Sequence, residues 1–152
     1  TLKIGATPPS FDKETEENTR GSYAHVSEEV IRQALVKFEG ETEQIPPVFS
    51  AVKVKGRRAF EYARSGEDIK LQPKKIVISK IVAESFDLPY ITLRVVCSKG
   101  TYIRALARDI GEALNCGAYL ESLKRTRIGK YSVEDAIDVD FFLKNPEAFV
   151  TN

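Results

Sequence analysis

Residues 97–111 read CSKGTYIRALARDIG, and this segment separates a strand pattern from a helix pattern. Residues 90–96 before it are rich in β-branched side chains and have the length of one strand. Beyond the turn, apolar residues recur at the spacing of one helical face: Ile103, Leu106, Ala107, Ile110 and Leu114. We therefore expect a strand, a tight turn over residues 98–101 and a helix. Gly100 would take a backbone angle that other residues resist, and Thr101 would be the N-cap.

Arg104 lies in the first turn of this predicted helix, where a cation opposes the positive end of the helix dipole. A carboxylate or phosphate nearby would offset that cost. Arg108 follows four residues later and shares the flank of the apolar face. Two interpretations stay open: an anion partner for Arg104, or an arginine whose stem simply covers the edge of the core.

The charge of the chain is unevenly distributed, although its net charge is only +1. Residues 1–50 have a net charge of −4, residues 51–130 of +9 and residues 131–152 of −4. A basic block of this size is typical of a protein that binds a polyanion. A solvated, lysine-rich surface is the alternative explanation of the same charges.

The composition fits one globular domain or a piece of one, with 42% hydrophobic and 30% charged side chains over 152 residues. No apolar segment approaches the roughly 18–20 residues of a membrane span, and no signal-peptide pattern opens the chain. Cys97 and Cys116 have the spacing of neither a metal site nor a disulfide framework. We therefore expect no membrane, no metal and two free, buried thiols.

The remaining patterns predict an α+β fold with a mixed, mostly antiparallel β-sheet flanked by helices. Residues 10–24 are polar and predict an exposed loop, and a helix of about twelve residues follows the N-cap Ser27. Strands are predicted over residues 48–54, 75–84 and 125–133, and helical segments over residues 57–64, 118–124 and 140–145. The strand over residues 75–84 is expected to pair with residues 90–97 as an antiparallel hairpin across residues 87–89.

Residues 45–75 form a predicted insertion that is basic and contains aromatic residues. Lys53, Arg57 and Arg58 lie among Phe49, Phe60 and Tyr62. Basic side chains beside aromatic rings suit phosphate contacts and base stacking in RNA recognition. The rings also suit a small core of the insertion, and we favour that role for Phe60.

Two long motifs resemble the TruB family of tRNA pseudouridine synthases. The first is CSKGTYIR at residues 97–104, followed by DIGEALNCGA and LKRTRIG. The second is QIPPVFSAVK at residues 44–53, followed by GRR and YARSG. The resemblance extends from residue 1 to about residue 145, and in that family the insertion at residues 45–75 is a thumb that grips RNA.

The resemblance implies an enzyme that isomerises the T-loop uridine of tRNA, uridine 55, to pseudouridine without a metal or organic cofactor. The base flips out of its loop into a pocket, an aspartate attacks, and the base is rejoined to the sugar through C5. The implied partner is the T-arm of tRNA, the implied location is cytoplasmic, and the implied intact enzyme is a monomer.

The family's catalytic aspartate belongs to a Gly-x-Leu-Asp motif, which residues 1–152 do not contain. The family's base-stacking tyrosine lies just upstream of the strand that residues 2–5 match. We therefore expect the C-terminal portion of a catalytic domain, an incomplete pseudouridine synthase fold without a C-terminal PUA-type domain. Alone it should be inactive, and a strand deprived of its neighbour could pair two copies into an edge-strand dimer.

The matching motifs also imply roles for individual residues. Arg104 would pair with the missing aspartate and keep it oriented and ionised. Tyr102 would line the uracil pocket, and Leu123 would pack against the flipped base as an apolar wall. The residues expected to contact RNA are Lys53, Arg57, Arg58, Lys99, Arg125 and Arg127.

Two other functions stay open at this stage. A non-catalytic tRNA-binding module that helps RNA fold would keep the basic thumb and the pocket wall. A guide-RNA-dependent synthase related to dyskerin is disfavoured by the compact thumb. An upstream Gly-x-Leu-Asp stretch in the gene would favour the enzyme, whereas a natural start at residue 1 would favour the module.

Overall fold

The structure is a computed structural model that describes residues 1–149. The chain divides into two compact units, Thr1–Ser122 and Leu123–Asn152. The first unit contains the main sheet and three helices. Its strands are β1 (Leu2–Ile4), β2 (Ala6–Thr7), β3 (Thr19–Arg20), β4 (Gly40–Gln44), β5 (Lys53–Val54), β6 (Arg57–Arg58), β7 (Lys74–Asp87), β8 (Tyr90–Cys97) and β9 (Ala118–Leu120). Its helices are α1 (Glu28–Val36), α2 (Ala59–Ser65) and α3 (Ile103–Ala113).

A five-stranded sheet organises the first unit in the order β4-β7-β8-β1-β9, with every neighbouring pair antiparallel. Helices α1 and α3 pack against the sheet and against each other. A register shift between Ile78 and Lys80 inserts one extra residue into β7, so that Ile78 and Ile81 both face the core. The predicted α+β fold with a mostly antiparallel sheet is therefore confirmed.

The predicted turn and helix after β8 are confirmed, with one correction. Gly100 has a φ of +86°, in the left-handed region that glycine tolerates. The N-cap of α3 is Tyr102 rather than Thr101. The Thr101 hydroxyl instead donates a hydrogen bond to the Ser98 carbonyl at 2.9 Å, because the tight turn brings that carbonyl closer than the helix amides.

The insertion predicted over residues 45–75 corresponds to residues 45–73, which connect β4 to β7 and are called the thumb below. A short hairpin of β5 and β6 leads into α2, which ends at the left-handed Gly66. Its buried residues include Ala59, Tyr62 and Leu71. The strand predicted over residues 48–54 is wrong except at Lys53–Val54.

Three other sequence predictions need correction. Helix α1 has nine residues and is shorter than predicted, although Ser27 does accept a hydrogen bond from the Val30 amide at 3.3 Å. The helical turn predicted over residues 118–124 is wrong, because residues 118–120 form β9 and pair with β1. Residues 10–24 are only partly an exposed loop, since Ser10 is buried and β3 pairs with β2.

The two edge strands of the main sheet, β4 and β9, differ in their surroundings. Strand β4 carries exposed Glu41 and Glu43, and like charges on an edge discourage pairing between copies. Strand β9 is buried, and its Leu120 amide donates to the Phe11 carbonyl at 3.0 Å. An edge-strand dimer of this chain stays a prediction.

The second unit contains only short elements within residues 123–149. They are β10 (Arg127–Ile128), β11 (Tyr131–Ser132), a 3-10 turn (Val133–Asp135), α4 (Val139–Lys144) and a second 3-10 turn (Pro146–Phe149). The predicted strand over residues 125–133 is thus a two-stranded hairpin, and the predicted last helix is confirmed. In the part of the chain that the structure describes, no helix has the length and apolar character needed to cross a membrane.

The two free cysteines should differ in reactivity. Cys116 is buried, and burial raises the pKa of its thiol above the usual range, whereas Cys97 is only half-buried. We expect iodoacetamide to modify Cys97 at least about tenfold faster than Cys116 in the folded protein, because the thiolate is the reactive form. Peptide mass spectrometry over time measures both rates, and in denaturant they should converge. Equal rates in the folded protein would contradict the prediction.

Candidate active site around Arg104

The first turn of α3 is the point where three separate parts of the first unit meet. The Arg104 guanidinium donates to the Asp12 carboxylate at 3.0 Å through Nη1 and to the Phe49 carbonyl at 2.9 Å through Nη2. The side chains of Arg104 and Asp12 are 26% and 14% exposed, so the pair is largely shielded from water. Arg104 therefore has an anion partner, as predicted for a cation in the first turn of a helix. It also binds the thumb through the Phe49 carbonyl.

Asp12 is held in place by its own segment. Its Oδ1 atom accepts the Ser10 hydroxyl at 2.7 Å and the Glu14 amide at 3.0 Å, which leaves Oδ2 for Arg104. The sequence interpretation placed Asp12 in an exposed loop and missed this role. The polar Ser-x-Asp spacing, typical of a local side-chain turn, was the one sequence feature that could have marked it.

Residues 44–49 run along the first two turns of α3 and are bound there by both arginines. Pro46 and Pro47 have no amide hydrogen and keep this segment out of regular pairing. Two carbonyls of this segment accept hydrogen bonds, Ile45 from Arg108 Nη2 at 3.1 Å and Phe49 from Arg104 Nη2. The base of the thumb is thus fixed to the helix that carries Arg104.

Arg108 also has an acidic partner in the next residue. Its guanidinium lies 2.7 Å from the Asp109 carboxylate. Burial raises the pKa of Asp109, and the adjacent guanidinium opposes that shift. Among residues 1–149, no three His, Cys, Asp or Glu side chains are grouped in a way that could hold a metal ion.

Two clefts open beside Tyr102. The first has a volume of about 490 Å³ and is lined by Arg104, Tyr102, Phe49 and Phe60, among others. The structure thus places the predicted pocket residue Tyr102 and the predicted catalytic residue Arg104 in the lining of one cleft. Phe60 is half-buried and faces this cleft, which corrects its assignment to the thumb core.

The second cleft has a volume of about 750 Å³ and lies on the thumb side of Tyr102. Four exposed lysines line it: Lys53, Lys55, Lys70 and Lys74. Its remaining lining includes Val52, Val54 and Leu71, so the floor is apolar and the rim is cationic. Such a cleft suits an anionic chain with apolar rings.

The other predicted RNA contacts of the first unit lie on exposed turns and on the thumb. Lys99 is exposed in the turn before α3. Arg57 stacks 4.3 Å from the Tyr62 ring and pairs with Glu67 at 3.2 Å. The Ser65 hydroxyl and Arg57 together lower the pKa of Glu67. Arg58 is exposed and is the N-cap residue of α2.

Three predicted site residues belong to the second unit and are described within it alone. Leu123 is 57% exposed, and Arg125 is also exposed. Arg127 donates to the Gly129 carbonyl at 2.9 Å within the β10–β11 hairpin. Their expected roles at the pocket stay predictions.

The chain matches two family models across most of its length. Residues 1–103 match the model described as TruB family pseudouridylate synthase (N terminal domain). Residues 104–146 match the model described as tRNA pseudouridylate synthase B C-terminal domain.

Curated relatives agree with these models. The tRNA pseudouridine synthase B of Phocaeicola vulgatus is 54% identical over 142 residues, covering 93% of this chain and 60% of that protein. The protein of the same name from Parabacteroides distasonis is 50% identical over 147 residues, covering 95% and 63%. The chain therefore spans about three fifths of the length of these relatives.

A solved structure supports the fold. A chain in the crystal structure of a Cbf5-Nop10-Gar1 complex superposes with a TM-score of 0.60 at 25% identity. The match covers 96% of this chain and 37% of that one. With the family models matched over residues 1–146 and relatives at about half identity, this chain belongs to the TruB family of pseudouridylate synthases.

Proposed function

We propose that this chain is part of a tRNA pseudouridine synthase that isomerises the T-loop uridine, uridine 55, of tRNA. The observation that carries the proposal is the cleft in which Arg104 and Tyr102 lie side by side, with Asp12 holding the guanidinium. A shielded arginine next to an aromatic wall suits a flipped pyrimidine and a catalytic carboxylate. The relatives named tRNA pseudouridine synthase B support the same activity.

The proposed reaction needs a nucleophilic aspartate from a Gly-x-Leu-Asp segment outside residues 1–152. Arg104 uses two of its five N–H donors on Asp12 and Phe49, so donors remain to orient that carboxylate. The aspartate forms a transient covalent bond with the nucleoside, the bond from C1′ to N1 breaks, and the ring turns so that C5 bonds to C1′. The aspartate is then released as a carboxylate, and N1 takes up a proton. The hydrogen at C5 then leaves to solvent, and no redox partner is required.

The proposed substrate contacts follow from the clefts and the basic side chains. Tyr102 lines the uracil pocket, and the role of Leu123 rests on the family resemblance alone. The phosphates of the T-arm meet Lys53, Arg57 and Arg58 on the thumb and Lys99 in the turn before α3. Arg125 and Arg127 are proposed as further phosphate contacts of the second unit. With tRNA as the substrate, we place the protein in the cytoplasm, as a monomer when intact.

Tritium release tests this function directly. The substrate is a T-arm hairpin labelled with tritium at C5 of its uridines, and the chain is assayed alone and with the upstream segment supplied in trans. We expect no release from the chain alone and release from the complemented protein. Binding without release under both conditions would overturn the enzyme proposal and favour the tRNA-binding module. Release by the chain alone would mean that residues 1–152 contain a nucleophile.

The thumb lysines should control RNA affinity rather than chemistry. We expect the double variant Lys53→Ala and Lys70→Ala to bind the T-arm hairpin about tenfold more weakly, ~1.4 kcal/mol. The slope of log Kd against log salt should fall by about one for each lysine that contacts a phosphate. Fluorescence anisotropy at several KCl concentrations measures both quantities. Lys37→Ala at the C-cap of α1 and Lys80→Ala on β7, both exposed, are the controls. An unchanged salt slope would place the RNA elsewhere.

A further inference from the structure

Gln44 is a buried polar residue at the base of the thumb. It is the last residue of β4 and pairs in register with Lys74, the first residue of β7. The thumb therefore leaves the sheet at Gln44 and returns to it at Lys74. Gln44 is only 3% exposed, although glutamine is usually found at the surface.

Both polar atoms of the Gln44 amide bind the main chain of Tyr102. The Tyr102 amide donates to Gln44 Oε1 at 2.8 Å, and Gln44 Nε2 donates to the Tyr102 carbonyl at 3.2 Å. The same carbonyl accepts the Leu106 amide at 3.0 Å, which is the first hydrogen bond of α3. Tyr102 has no capping bond from its own side chain. A distant glutamine therefore holds the main chain of the N-cap residue of α3.

This pairing requires an amide side chain. Only Asn and Gln present a donor and an acceptor in one plane with the geometry of a peptide group. A carboxylate could accept the Tyr102 amide but has no hydrogen to donate. Its second oxygen would lie against the Tyr102 carbonyl oxygen, and the two acceptors would repel each other. A side-chain amide can be buried at little cost in free energy when both its NH₂ group and its carbonyl oxygen are hydrogen-bonded.

We propose that Gln44 is a positioning residue, which acts through Tyr102 to fix the substrate pocket to the base of the thumb. Gln44 does not line either cleft, whereas Tyr102 lines both. Arg104 lies two residues beyond Tyr102 and depends on the same first turn of α3. A displacement of about 1 Å in a positioning element can lower a rate by about 100-fold. The proposal rests on the proposed function, because it concerns the pocket of that reaction.

The test compares chemistry, RNA affinity and local opening in one variant. Gln44→Met keeps the length of the side chain and removes both hydrogen bonds. In the protein complemented with the upstream segment, we expect a single-turnover rate of pseudouridine formation about 10- to 100-fold lower. Affinity for the T-arm hairpin should stay within about twofold, since no lysine is changed. Hydrogen exchange at the Tyr102 amide should become faster in the 152-residue chain, while amides in the centre of β7 keep their rates.

Two controls separate positioning from general loss of stability. Gln33→Met makes the same replacement on the exposed face of α1 and should leave all three measurements unchanged. Ile78→Val weakens the core at a fully buried site of β7 and changes no group that binds Tyr102. A rate for Gln44→Met within threefold of the wild type, or a loss that Ile78→Val reproduces, would overturn the inference. So would a loss of T-arm affinity as large as the loss of rate.

The exchange measurement keeps the inference independent of the activity assay. A complemented wild-type protein that forms no pseudouridine would refute the proposed function alone. The inference about Gln44 is then decided at Tyr102: faster exchange in Gln44→Met supports it, and unchanged exchange overturns it.

Discussion

We expect Arg104→Ala to lower the rate of pseudouridine formation by at least ~100-fold in the protein complemented with the upstream segment. The variant removes the positive charge that faces Asp12 and the bond that fixes Phe49 to α3. Asp12 would keep its hydrogen bonds from Ser10 and Glu14 but would lose its ionic partner in a site that excludes most water. The reacting carboxylate would lose the donors that orient it.

Arg104→Lys makes the same prediction more specific. A lysine retains the charge, but a single ammonium cannot reproduce the planar set of donors that reaches a carboxylate and a carbonyl at once. We therefore expect it to restore less than a tenth of the lost rate. Single-turnover tritium release measures both variants. Arg94→Ala is the matched control, because Arg94 is exposed on β8 and pairs with Glu84 of the same hairpin. Near-normal rates for Arg104→Ala would mean that the guanidinium only covers the edge of the core.

Local sequence patterns correctly predicted those helices and strands whose structure depends on residues close together in the chain. The helix over residues 103–113 and the β7–β8 hairpin follow from periodicity and turn residues, and both are confirmed. The strand at residues 118–120 was missed because its pattern is three buried residues without alternation. Only its pairing with β1 makes it a strand, and that pairing is set by tertiary structure.

Prediction of the candidate active site was limited in the same way, by contacts between residues that are distant in the chain. The first-turn cation at Arg104 predicted an anion partner, and the structure supplies one. The identity of that partner could not be predicted, because Asp12 is 92 residues away along the chain. The role of Gln44 was equally hidden, since its partners are main-chain atoms of a residue 58 positions later. Sequence patterns report side-chain chemistry well, but they do not report which backbone groups need a partner.

Gly111→Ala should have the largest effect on stability, with a sign opposite to that of helix propensity. Replacing glycine by alanine inside a helix ordinarily stabilises by up to about 1 kcal/mol. At Gly111 a Cβ atom would lie 2.1 Å from the Ala118 amide nitrogen, 2.5 Å from the Gly117 carbonyl carbon and 2.8 Å from Ala118 Cβ. These are mostly backbone atoms of the segment that enters β9, so no flexible side chain can move aside.

The cost of steric overlap at Gly111 is larger than the gain in helix propensity. Overpacking against backbone costs about 1–3 kcal/mol and occasionally more, so we expect Gly111→Ala to lose at least ~2 kcal/mol of unfolding free energy. Gly100→Ala should lose only ~1–2 kcal/mol, because its φ of +86° is strained for alanine but no atom lies within 4 Å of the added carbon. Glu112→Ala, exposed on the same helix, should change stability by less than about 0.5 kcal/mol.

Urea unfolding followed by far-UV circular dichroism measures all three variants. A loss that is larger for Gly111→Ala than for Gly100→Ala would show that close contact with β9, rather than backbone angle, makes glycine necessary there. The Gly111 carbonyl accepts the amides of Cys116 and Gly117 at 3.2 and 3.1 Å, so the chain reverses tightly at this point. An increase in stability would mean that β9 retreats from α3 at little cost. The position of Arg104 on that helix would then depend on the thumb and on Asp12 more than on the sheet.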